Sequence, residues 1–169
     1  MQNIYWGKLK IHEDTMYISA TENGLCYIGT PNDPFEIMEN WLVKRIKAFH
    51  LIENQDVLRP YEEQLQAYLN GTRKELSFPL DLYGTEFQKK VWEVLQTIPY
   101  GETCSYMEIA EKLQNPRAVR AVGGVIGANP ILMAIPCHRV IAKDGKLGGF
   151  RAGIPMKKHL LALERGFIS

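Results

Sequence analysis

Short alternating or β-rich runs fill the first thirty residues, among them Met16-Tyr17-Ile18 and Leu25-Cys26-Tyr27-Ile28, with Glu22-Asn23-Gly24 between them. Apolar runs on either side of a turn signal predict hairpin strands, and Pro31-Asn32-Asp33-Pro34 ends them. Residues 35–49 have the pattern of a short helix. Residues 60–70 have that of a second, with Pro60 at its first helical position and Gly71 as its C-terminal stop. Phe78-Pro79-Leu80-Asp81-Leu82 predicts a last strand or an extended link.

The period changes at Gly84. Thr85-x-x-Gln88 is a capping box, and Phe87, Val91, Val94, Leu95 and Ile98 recur at helical spacing, so 86–97 is expected to be an amphipathic helix. Ser105-x-x-Glu108 opens a second helix, with Ile109, Ala110 and Leu113 as its apolar stripe, and Asn115-Pro116 opens a third. Two short capped helices a few residues apart have the proportions of a helix-turn-helix, and equally of two ordinary packed helices. In the third helix Val119, Val122, Val125 and Ile126 form one side, while Arg117, Arg120, Gly124 and Gly127 form another. Each interior glycine costs a helix about 1 kcal/mol, so a face of arginines and glycines implies that something approaches the backbone closely. Nucleic acid would do so, with the arginines on phosphates or in the base stack; a second packed helix is the rival.

The last helix is bracketed by Pro155 and Gly166, with Met156, Leu160, Leu161 and Leu163 pointing inward. Glu164 follows Leu160 by four residues and Leu161 by three, which puts a carboxylate near the apolar face. Burying it unpaired would cost several kcal/mol, and His138 is the candidate partner.

Composition adds bounds. The chain has 169 residues, 46% apolar and 23% charged, as expected of a soluble globular protein of one or two small domains. With no basic-then-apolar leader pattern at Met1 and no apolar run near membrane-spanning length, a cytoplasmic protein without membrane association is expected. The three cysteines, Cys26, Cys104 and Cys137, are odd in number and widely spaced, which favours free thiols over a disulfide framework or a zinc site. Net charge is +1, but residues 1–80 carry 8 basic against 11 acidic side chains and residues 81–169 carry 12 against 8. From Arg117 to Lys158 eight basic residues face one acid, Asp144, the footprint of a phosphate-binding surface or of a solvated face.

Candidate chemistry centres on Ile135-Pro136-Cys137-His138-Arg139-Val140, which follows the apolar stretch from Ile131. A cysteine is nucleophilic as its thiolate, which a neighbouring cation or imidazole favours, and His138 and Arg139 follow Cys137 directly. On composition alone the hexapeptide also fits an ordinary core cysteine beside an unrelated histidine. Cys26, His12 and His50 are expected to be structural or surface residues.

Pro136-Cys137-His138-Arg139-Val140, with Asn129-Pro130 upstream, resembles the active-site signature of the O6-alkylguanine-DNA alkyltransferases, also called methylated-DNA-protein-cysteine methyltransferases. The resemblance covers roughly residues 78–164. It implies an α/β N-terminal domain over 1–78 with a ribonuclease-H-like sheet, then a mainly helical C-terminal domain over 79–169 with a helix-turn-helix. It implies irreversible transfer of a methyl or other alkyl group from O6 of guanine in double-stranded DNA to Cys137, with O4 of alkylated thymine as a further substrate the family admits. No cofactor or metal is implied, and a monomer is expected. His138 would draw the thiol proton through a water and Glu164 would orient the imidazole. Asn129 would brace the turn under the cysteine.

For base flipping, Tyr106 would crowd the phosphate behind the target nucleotide and Arg120 would fill the vacated stack. Ser105, Arg117, Gly124 and Arg139 join them as expected DNA-binding residues. Backbone groups near Cys137 and Val140 would read the guanine edge, and the loop with Gly149, Phe150 and Arg151 would cover it. At Phe150 the family usually has tyrosine and at Arg151 several members have serine. The lost hydroxyl predicts either slower transfer per encounter or reliance on other donors, such as Tyr106 and the Arg151 backbone amide. Two further readings stand beside this one: a turning-over thiol hydrolase, which needs an oxyanion hole, and a lesion-sensing DNA-binding module without chemistry.

Overall fold

The structure is a computed structural model that describes residues 1–166. It comprises two compact units, one over Met1–Tyr83 and one from Gly84 onward.

The first unit is a four-stranded sheet with two helices. β1 (Gln2–Ile11), β2 (Asp14–Thr21) and β3 (Gly24–Ile28) form an antiparallel meander, and β4 (Phe49–Glu53) adds parallel to β1, giving the order β3-β2-β1-β4. The β1–β2 turn places His12 at φ 53°, and the expected hairpin around residues 22–24 joins β2 to β3. α1 (Phe35–Arg45) puts Met38 and Leu42 into a core with Ile4, Cys26, Tyr27 and Ile46. The stretch read as helix to residue 49 therefore stops four residues early, and Phe49 opens a strand. α2 (Gln55–Leu69) begins five residues before Pro60, because Asn54 accepts a hydrogen bond from Val57 N and caps it there. Pro60 lies inside the helix, where its missing N–H forfeits one backbone bond. The link after Phe78 stays with this unit: Leu80 bridges Leu25 in parallel, and Asp81 accepts from Thr21 Oγ1 at 2.5 Å and from the Tyr83 hydroxyl at 3.0 Å.

The second unit is mainly helical. α3 (Glu86–Leu95) and α4 (Tyr106–Lys112) both carry the capping boxes read from the sequence, Thr85 with Gln88 and Ser105 with Glu108. Gln114 at φ 59° turns the chain after α4. Asn115, expected to cap the next helix, makes no side-chain cap; Pro116–Ala118 form a 3-10 turn first, and α5 runs Val119–Gly127. A second 3-10 turn, Cys137–Arg139, leads into β6 (Val140–Ile141), which pairs in parallel with β5 (Cys104–Ser105). α6 spans Ile154–Glu164. No helix among the described residues is long and apolar enough to cross a membrane.

Candidate active site

Cys137 sits on the 3-10 turn that the buried segment 131–135 delivers, and is itself 2% exposed. Asn129, at the end of α5, fixes that delivery. Its Oδ1 accepts from Ile131 N at 3.0 Å, and its Nδ2 donates to Ile135 O at 2.7 Å and to Cys137 Sγ at 3.0 Å. One fully buried amide thus ties the turn together and touches the sulfur.

Burial pushes the Cys137 thiol up from its ordinary range, opposed by the Asn129 hydrogen bond and by the charges of Arg151 and Lys157. Burial thus favours the neutral thiol, and the charges that oppose it are those of Arg151 and Lys157 rather than that of the adjacent Arg139. Arg139 is engaged elsewhere: Nε and Nη2 donate to Glu164 Oε1 and Oε2 at 2.8 and 2.9 Å, and Nη1 donates to Ile98 O at 2.7 Å. With its guanidinium so occupied and the residue 8% exposed, Arg139, expected among the DNA-binding residues, is here a buried cation bonded within the protein.

The inward carboxylate read at Glu164 is present. Its Oε2 lies 2.6 Å from His138 Nε2 and its Oε1 accepts from Gly101 N at 3.1 Å. Burial lowers the His138 pKa, with the Glu164 hydrogen bond and charge opposing. A neutral imidazole donating from Nε2 to Glu164 carries its lone pair on Nδ1, so it can accept a proton.

The remaining expected residues fall in two groups. Arg117, Arg120 and Gly124 are exposed, and a Cβ at Gly124 or Gly127 would meet nothing within 4 Å. The arginine–glycine face is therefore open, and a packed helix does not explain its glycines. Ser105 is buried as the α4 cap, and Tyr106 is half-buried at the first position of α4. Val140 is buried in β6; Phe150 and Arg151 are half-buried and Gly149 is exposed. Gly148, at φ +68°, packs so close to Tyr106 that a Cβ there would lie 2.7 Å from the hydroxyl.

Lys157 was missed. It is fully buried in α6, and its Nζ donates to Val140 O at 2.6 Å, to Gly149 O at 3.3 Å and to Leu147 O. It ties the loop before Phe150 to the strand after Cys137 and sets a cation near the sulfur. The signal was available: Lys157, Leu160, Leu161 and Glu164 form one i, i+3, i+4, i+7 stripe, and the logic that singled out Glu164 applies to Lys157.

Residues 4–82 match the family model described as 6-O-methylguanine DNA methyltransferase, ribonuclease-like domain, and residues 86–166 match its DNA binding domain. The inducible methylated-DNA-protein-cysteine methyltransferase of Bacillus subtilis (strain 168) is 46% identical over 162 residues, 96% of this chain and 90% of that protein. The crystal structure of Mycobacterium tuberculosis OGT in complex with DNA matches at a TM-score of 0.81 and 35% identity, covering 97% of this chain and 94% of that one. The O6-methylguanine-DNA methyltransferase of the archaeon Pyrococcus kodakaraensis matches at a TM-score of 0.73 and 29% identity, covering 95% and 98%. With such identity across nearly the whole of both chains, this chain belongs to the 6-O-methylguanine DNA methyltransferase family, the methylated-DNA-protein-cysteine methyltransferases, which are transferases of DNA repair.

Proposed function

We propose that the chain moves an alkyl group from O6 of a modified guanine in duplex DNA to Sγ of its own Cys137, once per molecule. The observation that carries this reading is the buried His138–Glu164 pair, 2.6 Å between Nε2 and Oε2, beside the turn that holds the thiol. The thiol proton passes to His138 through a water, and the sulfur attacks the alkyl carbon. The carbon–O6 bond breaks with its electron pair going to the purine, which takes up a proton in turn. Glu164 steadies the imidazolium that forms. A thioether is a very poor leaving group, so the product persists and the protein is spent.

Because the thiol is covered, the guanine has to leave the base stack to reach it, at a cost of a few kcal/mol. α4 and α5 serve as the helix-turn-helix, with Tyr106 against the phosphate and Arg120 in the vacated stack. The open arginine–glycine face and the related mycobacterial protein crystallised with DNA support this. Val140, Gly149, Phe150 and Arg151 line the guanine pocket. The first domain carries a ribonuclease-H-like sheet, and the protein works as a cytoplasmic monomer without a cofactor.

Incubation with a duplex containing a single O6-methylguanine tests the reading. One methyl on the Cys137 peptide, at one per protein, is expected. Continued turnover with an unmodified peptide would indicate a thiol hydrolase, and tight binding with neither would indicate a lesion sensor. A second duplex with O4-methylthymine reads the substrate range.

A further inference from the structure

Of the eight basic residues between Arg117 and Lys158, Arg139 and Lys157 are buried and Arg151 is half-buried. Two of the exposed ones, Lys143 and Lys146, share a turn that nothing above uses. We propose that the turn 142–146 is a second phosphate-binding surface, which holds the backbone of duplex DNA on the side of Tyr106 opposite α5. The inference rests on the DNA-repair reading.

The turn is closed and outward-facing. Ala142 N donates to Lys146 O at 2.8 Å, Gly145 N to Ala142 O at 2.9 Å and Lys146 N to Asp144 Oδ1 at 3.0 Å, with Gly145 at φ +85°. The Lys146 side chain is 83% exposed, and Asp144 Oδ2 approaches its Nζ only to 3.8 Å. A solvated pair of that kind is worth little, so the turn keeps a positive end. Its place follows from the parallel β5–β6 ladder. Cys104 pairs with Val140 and Ser105 with Ile141, so Tyr106 and Ala142 leave the same end side by side. The Tyr106 ring then lies between two close approaches: a Cβ on Gly123 of α5 would be 3.9 Å from its Cδ1, and one on Gly148 would be 2.7 Å from its hydroxyl. On this proposal a strand laid over the open face of α5 and across Tyr106 continues onto the turn that carries Lys143 and Lys146, which the β5–β6 ladder sets beside the start of α4. Two separated basic sites on either side of one tyrosine suit a backbone that has to be held while a nucleotide is turned out.

Binding of the full chain to a short unmodified duplex, followed by fluorescence anisotropy at several salt concentrations, tests this. Each neutralised phosphate adds about 0.9 to the slope of log affinity against log salt. The double variant Lys143→Gln/Lys146→Gln is expected to bind about tenfold more weakly at low salt, with a slope shallower by about 2. Asp144→Asn, which can preserve the turn hydrogen bond, is expected to bind more tightly, and both should melt at the wild-type temperature. Wild-type affinity and slope in the double variant, alongside weakened binding in Arg117→Gln/Arg120→Gln, would overturn the turn's role alone. A wild-type chain that binds no duplex at low salt would remove the DNA-repair reading with it.

Discussion

Arg139 meets Glu164 as a two-point ion pair, Nε to Oε1 at 2.8 Å and Nη2 to Oε2 at 2.9 Å, with the carboxylate side chain 1% exposed. The same Oε2 holds His138, so the arginine fixes the carboxylate that fixes the imidazole. Removing one partner of a buried pair strands the other, at about 3–5 kcal/mol. Arg139→Met is expected to lower the urea unfolding free energy by roughly that amount. Its folded fraction should still bind duplex DNA as wild type does, because the guanidinium points inward. A loss of DNA affinity with normal stability would return Arg139 to the interface.

Features fixed by local chemistry could be read from the chain. The capping boxes at Thr85 and Ser105, the α5 face and the inward Glu164 each follow from residues within a turn or two of one another. Features fixed by distant partners could not. β4 pairs with a strand nearly fifty residues earlier, and its sequence has no turn signal to separate it from α1. Pro60 looks like a helix start until Asn54 is seen capping ahead of it. Arg139 reads as an exposed cation because its partner lies 25 residues on, and the direct neighbours of Cys137 hide the fact that its charges come from Arg151 and Lys157.

Lys157 joins the site through both geometry and charge. Lys157→Met removes the donor to three carbonyls and a cation that favours the Cys137 thiolate, so the thiol is expected to be still harder to ionise. Single-turnover transfer should slow at neutral pH, and its rate profile should move to higher pH. Lys157→Arg, which keeps the charge, should recover part of the shift. A slower rate with an unmoved pH profile would reduce Lys157 to a loop support.

Cys26 makes alkaline stability a readout of the first unit. Its thiol is buried against Ser19, with Oγ to Sγ at 3.4 Å, and burial pushes its pKa up to about 12. The unfolded chain ionises this thiol near pH ~8.5. Folding therefore favours the neutral form, and the stability present below about 8.5 is lost as pH rises from there toward 12, by at most about 1.4 kcal/mol per pH unit for this group. Cys137 adds loss of the same sign. Cys26→Ala is expected to flatten the fall in melting temperature on raising pH, whatever the cavity does to its absolute value. An equally steep fall would place the alkaline sensitivity elsewhere.

Gly124 and Gly148 should respond in opposite ways to the same methyl group. Gly148 sits at φ +68°, where a side chain costs about 1–2 kcal/mol, and its new Cβ would meet the Tyr106 hydroxyl at 2.7 Å. Gly148→Ala is therefore expected to destabilise the second unit, and Tyr106→Phe should relieve the part of the penalty that comes from the hydroxyl. At Gly124 the added Cβ meets nothing, and alanine is better in a helix by about 1 kcal/mol. Gly124→Ala should raise the melting temperature and, on the proposed reading of α5 as the DNA-facing helix, weaken DNA binding at the same time. A helix that becomes more stable and binds duplex DNA as tightly as before would leave this glycine without a role at the interface.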